Sequence, residues 1–563
     1  MTNADRHWAS RGSRGRTGGL RTVPRVVALS TLAVLALGAG PRDAAAGVAR
    51  APRVSLAQGA LAGRWGSAGG VRVREFRGIP YAAPPVGALR WRPPAPAPGW
   101  RGLRDERRFG PRCMQLPLIS DMVFRSGGMS EDCLSLNVWA PAKSRWPLGR
   151  HARPVLLYFY GGGFVAGDAS EPRYDGASLA SRGIVVVTAN YRLGVFGFLA
   201  LPSLAAESPR RAAGNYGLLD EVAALDWVRA NIAAFGGDPR RITIGGESAG
   251  SISVSALMVS PLSKDSIAGA IGESGALIAP IAPQSLAQAE RQGQAFAATV
   301  GARSLADLRA MPAQRLLQAT RATPEGAGFQ PDVDGYFLTE APARVFARGA
   351  QARVPLLVGT NSEEAPYQAL LGASAPTPAN YRLALERRFG ALAPRVAVLY
   401  PGADPQAVRR SATALASDLF IAHSTWEWMD LQRRTGRAPV FFYRFDRARP
   451  PVRGAPRTAA AADGGGAPHS VEIEYALGNL DRNPVYAWTP ADFEVSRIME
   501  GYFLRFIMTG DPNGTGLPTW PAVRPARGGL LRQTIGTPTR TTIDREMARQ
   551  RFLTRYFADH PSS

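Results

Sequence analysis

Arg241-Ile242-Thr243-Ile244-Gly245-Gly246-Glu247-Ser248-Ala249-Gly250, running on into Ser251-Ile252-Ser253-Val254-Ser255-Ala256-Leu257-Met258, is the stretch whose reading decides the fold. Ile242 and Ile244 alternate as in a short buried strand, and the run after Gly250 reads as the start of a helix. A serine wedged between the two occupies a tight, strained turn that holds its hydroxyl clear of its own backbone. The flanking glycines follow from sterics, since a Cβ at Gly246 or Gly250 would collide where helix and strand approach. The residues thus spell a nucleophile elbow, G-x-S-x-G. In a chain with 61 glycines among 563 residues the bare pattern is weak, and the strand before and helix after give it meaning. Gly272-Glu273-Ser274-Gly275-Ala276 nearly repeats the motif but ends in Ala.

A serine hydroxyl is a poor nucleophile until a base takes its proton, and the base needs an orienting carboxylate. Five histidines are available: His7, His151, His423, His469 and His560. His469 follows a loop after a strand, the place for a base, while His423 lies in a helical stretch and is its rival. For the acid, the chain order Ser, acid, His confines the choice to residues between Ser248 and His469. Glu363 and Glu364 sit just past an apolar strand, Pro355-Leu356-Leu357-Val358-Gly359, although a solvated loop would look the same. The oxyanion of an acyl-transfer intermediate needs preorganised N–H donors. Gly161-Gly162-Gly163, after Val155-Leu156-Leu157-Tyr158-Phe159-Tyr160, can turn its amides inward because no side chains obstruct, and Ala249 follows the serine.

The surroundings of the elbow are α/β. Val155–Tyr160 and Ile184–Ala189 are short, fully apolar runs, as in strands buried on both faces of a mostly parallel sheet. Val222, Leu225, Val228 and Ile232 fall at helical spacing, and Pro439–Phe445 is a further strand. Thr458–Pro468 is Ala/Gly-rich and reads as mobile. With no repeat and no linker, residues 47–563 read as one domain. A hydrophobic content of 45% with 11 Trp and 22 Phe is ample for a large core. The formal charge of +23 does not signal nucleic acid: Lys143 and Lys264 are the only lysines, and the other 65 basic residues (67 − 2) are scattered arginines.

Residues 1–46 differ in kind. Arg6, Arg11, Arg14, Arg16, Arg21 and Arg25 precede an apolar stretch from Val26 to about Ala39, and Ala44-Ala45-Ala46 offers a cleavage site. An export signal is expected here, too short for a membrane span, with a periplasmic or secreted mature chain. In an exported protein the pair Cys113 and Cys133 reads as a disulfide closing a loop of about 20 residues.

Taken together the motifs resemble those of the type-B carboxylesterases, a family that includes cholinesterases and bacterial para-nitrobenzyl-type esterases. The carriers are Phe76-Arg77-Gly78-Ile79-Pro80-Tyr81, Glu131-Asp132-Cys133-Leu134-Ser135-Leu136-Asn137-Val138-Trp139, Tyr160–Phe164, Asn190-Tyr191-Arg192, Phe235–Pro239 and Gly246–Gly250. Gly359-Thr360-Asn361-Ser362-Glu363-Glu364, His469-Ser470-Val471-Glu472 and Thr509–Asn513 complete them, in family order across nearly the whole chain. The resemblance implies an α/β-hydrolase fold with helical insertions and a serine esterase acting on small-molecule esters. No metal, cofactor, nucleic acid or stable membrane insertion is expected. It implies Ser248 as nucleophile, Glu364 as acid and His469 as base, with Gly162, Gly163 and Ala249 as oxyanion donors. It also implies a Cys113–Cys133 pair, Ser274 as support for the acid, and Glu247 as a buried carboxylate beside the nucleophile. The segment between the cysteines lacks the cation-binding Trp of cholinesterases and has Phe124 as its only aromatic residue, which implies a preference for neutral esters. Activity is expected to rise with pH through the ordinary histidine value, about 6.5.

Overall fold

Short β-branched and apolar runs separated by amphipathic helices can bury both faces of a strand only inside a helix-covered sheet, and that is the architecture found. The computed structural model describes residues 51–119, 121–142, 152–322, 328–454 and 465–560. The export signal, His151 and residues 458–464 of the Ala/Gly-rich stretch lie outside them. Among the described residues one sheet holds twelve strands. In chain order they are β1 (Arg64–Ala68), β2 (Val71–Pro80), β3 (Ser135–Pro141), β4 (Arg153–Phe159), β5 (Val185–Ala189) and β6 (Gly237–Glu247). There follow β7 (Gly269–Glu273), β8 (Leu356–Asn361), β9 (Val440–Phe445), β10 (Pro525–Ala526), β11 (Gly529–Ile535) and β12 (Arg540–Asp544). Their order across the sheet is β10-β11-β9-β8-β7-β6-β4-β5-β3-β2-β1, with β12 also on β11.

The centre, from β5 through β4, β6, β7, β8 and β9 to β11, is parallel. The flanks are antiparallel: β1–β2–β3–β5 on one side, β10 and β12 against β11 on the other. The helices that matter for the site are α1 (Tyr216–Asn231), α2 (Ala249–Leu257), α3 (Pro405–Ser417) and α4 (His423–Thr435). Two more, α5 (Pro490–Thr509) and α6 (Met547–Asp559), follow. The main core is the sheet with its covering helices. A smaller core forms where the helical insertion between β8 and β9 buries Tyr381, Leu385, Phe389 and Val396 together with Phe552 and Leu553 of α6. Among the described residues no helix is long and apolar enough to cross a membrane.

Parallel register decides where chemistry can gather. Glu247 pairs with Glu273 across β6 and β7, and Glu273 pairs with Gly359 across β7 and β8. Three neighbouring strands therefore end close together, and Ser248, Ser274 and residues 360–364 at those ends share one edge. The carboxyl ends of parallel strands are where α/β proteins build sites.

Candidate active site

Ser248 links β6 to α2 with φ 54° and ψ −121°, a left-handed-side backbone that L-residues avoid. Such a residue costs about 1–3 kcal/mol and persists only where its surroundings hold it. Here its amide donates to the Glu273 carbonyl at 2.8 Å and its carbonyl accepts from Ile252 at 2.9 Å. A Cβ on Gly250 would stand 2.1 Å from the Phe159 carbonyl, and one on Gly246 2.5 Å from Gly250 itself. Both glycines are steric necessities, as the sequence reading expected.

The structure brings Ser248, His469 and Glu364 together from separate strand ends. Ser248 Oγ lies 2.9 Å from His469 Nε2, and His469 Nδ1 lies 2.7 Å from Glu364 Oε2. With Nδ1 facing a carboxylate, the proton of a neutral ring belongs on Nδ1 and the lone pair on Nε2 faces the serine. The other oxygen of Glu364 accepts from Ser274 Oγ at 2.5 Å and from the Asn361 amide at 2.6 Å. Ser274, at φ 56°, repeats the elbow backbone one strand over. The rival, His423, lies elsewhere: fully buried in α4, its Nδ1 is 2.7 Å from Gln550 Oε1 and its Nε2 3.1 Å from Glu427. It is a structural histidine.

The loop bearing His469 is held more firmly than its composition suggests. Glu363 donates its amide to Ala467 at 2.9 Å and Ala467 donates to Ser362 Oγ at 2.8 Å. Asn361 Nδ2 donates to the Pro468 carbonyl at 2.9 Å. Residues 467 and 468, at the end of the stretch expected to be mobile, are thus paired with the acid loop.

Gly162 and Gly163 follow β4 at φ 118° and 63°. A Cβ at Gly162 would stand 2.2 Å from the Ala166 carbonyl, so that sharp turn needs glycine. Ala249 opens α2, where the amides of the first turn have no intrahelical acceptor. Cys113 and Cys133 are bridged, with their Cα atoms 5.0 Å apart. The segment they enclose lies along this turn: Met122 reaches the space beside Gly162.

Around the imidazole lies a set of buried carboxylates. Glu247 Oε1 is 3.2 Å from His469 Nε2, on the same side as the serine. Glu472 accepts from Asn361 Nδ2, and Glu273 from the Tyr158 hydroxyl at 2.8 Å. All are buried. Burial favours the neutral imidazole, but the charge of Glu247, the hydrogen bond and charge of Glu364 and the charge of Glu472 outweigh it, raising His469 from 6.5 to about 9. Burial pushes Glu247 up to about 7, with the imidazolium opposing. Glu472 is pushed to about 8 by burial and by the like charges of Glu247 and Glu364. The imidazole is thus held above the ordinary histidine value because one cation sits among several potential anions. Glu472 has no role in the sequence-based expectation, and its one signal in the chain is its place three residues after the histidine.

Comparison with known proteins follows the same lines. The profile of the Carboxylesterase family matches residues 50–552. A fumonisin B1 esterase of Sphingopyxis macrogoltabida is 37% identical over 463 residues, covering 80% of this chain and 81% of the relative. A para-nitrobenzyl esterase of Bacillus subtilis is 35% identical over 465 residues, covering 80% and 89%. A human cocaine esterase is 33% identical over 530 residues, covering 89% and 90%.

Proposed function

Because the chain belongs to the carboxylesterase family, carboxylic ester hydrolases of the α/β-hydrolase fold, we propose that Ser248, His469 and Glu364 act as its catalytic triad. The observation that carries this reading is the pair of contacts on one imidazole, 2.9 Å to the serine hydroxyl and 2.7 Å to the carboxylate. His469 Nε2 takes the Ser248 proton as Oγ attacks the ester carbonyl. The imidazolium so formed is stabilised by Glu364 on one nitrogen and by Glu247 beside the other. The amides of Gly162, Gly163 and Ala249 receive the oxyanion, a task for which donors fixed in the fold need no reorganisation. Collapse of the tetrahedral intermediate transfers the proton from Nε2 to the leaving alcohol, and the acyl group stays on Ser248. Water, deprotonated by His469, then releases the acid and restores the serine.

The substrate is a neutral ester. A quaternary ammonium needs an aromatic face within about 6 Å. Phe124, the sole aromatic between the cysteines, already carries the Arg112 guanidinium 4.9 Å from its ring centre. Export, with a mature N-terminus near Gly47, is part of the same proposal and rests on the basic and apolar pattern of residues 1–46. N-terminal sequencing of exported protein checks it; an N-terminus upstream of the apolar stretch overturns it. The catalytic assignment is tested by hydrolysis of p-nitrophenyl acetate. Ser248→Ala and His469→Ala, if folded, are expected to lose about 10³-fold or more in kcat. Retained turnover in either overturns the assignment.

A further inference from the structure

Arg449 lies outside the reactive set, yet its guanidinium reaches both the His469 loop and the disulfide-closed segment. Nη2 donates to the Ser470 carbonyl at 3.2 Å, one residue from His469. Nη1 donates to the Tyr486 hydroxyl at 2.6 Å, and the guanidinium carbon stands 4.6 Å from that ring's centre. Glu474 lies 3.8 Å from Nη2, and Asp121, inside the disulfide-closed segment, 3.9 Å from Nη1. Asp121 also meets Arg173 at 3.4 Å, and Arg173 is buried against Glu171 at 2.9 Å. Asp121 is therefore held between two arginines, and its neighbour Met122 lies beside Gly162.

Ser470 explains why such a tie is needed. Its φ of 66° is costly for a residue with a Cβ and persists only where neighbours hold it. The Arg449 hydrogen bond falls on the carbonyl of that strained residue. An arginine, planar with five donors in a fixed fork, can serve these partners together, whereas a lysine presents one point charge. We propose that Arg449 is a positioning residue that joins the His469 loop to the oxyanion turn through Asp121, a claim that rests on Ser248, His469 and Glu364 being the catalytic set. The bridge runs from Ser470 through Arg449 to Asp121 and Met122, and so to Gly162. Base and oxyanion donors, which come from distant parts of the chain, are thereby kept at one mutual distance.

The experiment compares Arg449→Met, Arg449→Lys and Asp121→Asn with wild type and with His469→Ala, using p-nitrophenyl acetate over the pH range. Thermal unfolding of each variant is recorded. Arg449→Met is expected to lower kcat about tenfold or more with KM changed less than about twofold, a barrier change of about 1.4 kcal/mol. Its acid limb should move to lower pH, because the carboxylates 2.7 and 3.2 Å from the ring outweigh the lost Arg449 charge, which alone would act the other way. His469 faces Glu247, Glu364 and Glu472, and an imidazole released from them loses what holds its pKa up. Simple destabilisation would not move that limb. Arg449→Lys should recover part of kcat. Asp121→Asn should show the same direction of change, smaller, and add little when combined with Arg449→Met. Wild-type kcat and an unmoved acid limb in Arg449→Met overturn the proposal. Should that variant fail to fold, wild-type behaviour in both Arg449→Lys and Asp121→Asn overturns it instead. An active His469→Ala would refute the catalytic reading itself, a result distinct from any of these.

Discussion

Replacing Glu247 by Gln removes one negative charge and keeps the shape of the side chain. Glu247 Oε1 stands 3.2 Å from His469 Nε2, and its charge is the largest influence raising that imidazole toward about 9. The sign follows directly: an anion favours the imidazolium, so its loss lowers the histidine pKa and frees the base at lower pH. An opposite charge at this separation displaces a pKa by about 1–3 units. The acid limb of kcat/KM should therefore move down by that amount in Glu247→Gln. The effect is bounded because Glu247, raised by its burial, is itself protonated below about 7. The plateau should also fall, since the imidazolium that forms during acylation loses a neighbouring anion. The assay is log kcat/KM for p-nitrophenyl acetate from pH 5 to 10, with unfolding checked at each end. An acid limb that stays in place or moves upward would refute the electrostatic reasoning.

The other predictions concern stability, the rival base and the substrate. Glu472 is raised from 4.5 to about 8, so the folded protein binds an extra proton between those values and loses stability as pH rises through that window. Glu472→Gln should flatten this slope and raise Tm relative to wild type at pH 9 compared with pH 5, and unchanged parallel profiles would argue against it. His423→Gln should keep most of its kcat while lowering Tm, because His423 touches Gln550 and Glu427 rather than the serine; loss of turnover in a stable variant would return His423 to candidacy. A neutral ester should have a higher kcat/KM than the acylcholine of the same acyl length and shape, and a choline ester faster by about tenfold would mean that an aromatic face outside the disulfide loop receives the cation.

Much of the fold could be read from the chain because burial leaves a local signature. Val155–Tyr160 and Ile184–Ala189 are apolar on both faces, and only a covered parallel strand has that use for such a run. The turn at Ser248 is legible for a similar reason: glycines at 246 and 250 are demanded by atoms within the turn and the strand beside it. The antiparallel flanks were less legible, since β2 and β12 mix exposed and buried positions and read as generic amphipathic strands. Site features assembled from distant segments left no local trace. Glu247, Glu273 and Glu472 stand near one another only because β6 and β7 end level and the histidine loop folds over them. The raised pKa of His469 follows from that gathering, and a sequence carries spacing along the chain, not distance across it. Arg449 is the extreme case: one arginine among 65, its partners at Asp121 and Ser470 appear only in three dimensions.

Ser248 as the single acyl acceptor is the central claim, and covalent labelling tests it most directly. The protein is titrated with diethyl p-nitrophenyl phosphate, residual ester hydrolysis is followed, and the modified peptide is mapped by mass spectrometry. The account predicts one diethylphosphoryl group per chain, located on Ser248, with activity falling in proportion to its incorporation, and no label in Ser248→Ala. Full labelling of Ser248 with hydrolysis intact, or loss of activity that tracks a label on another residue, would contradict it.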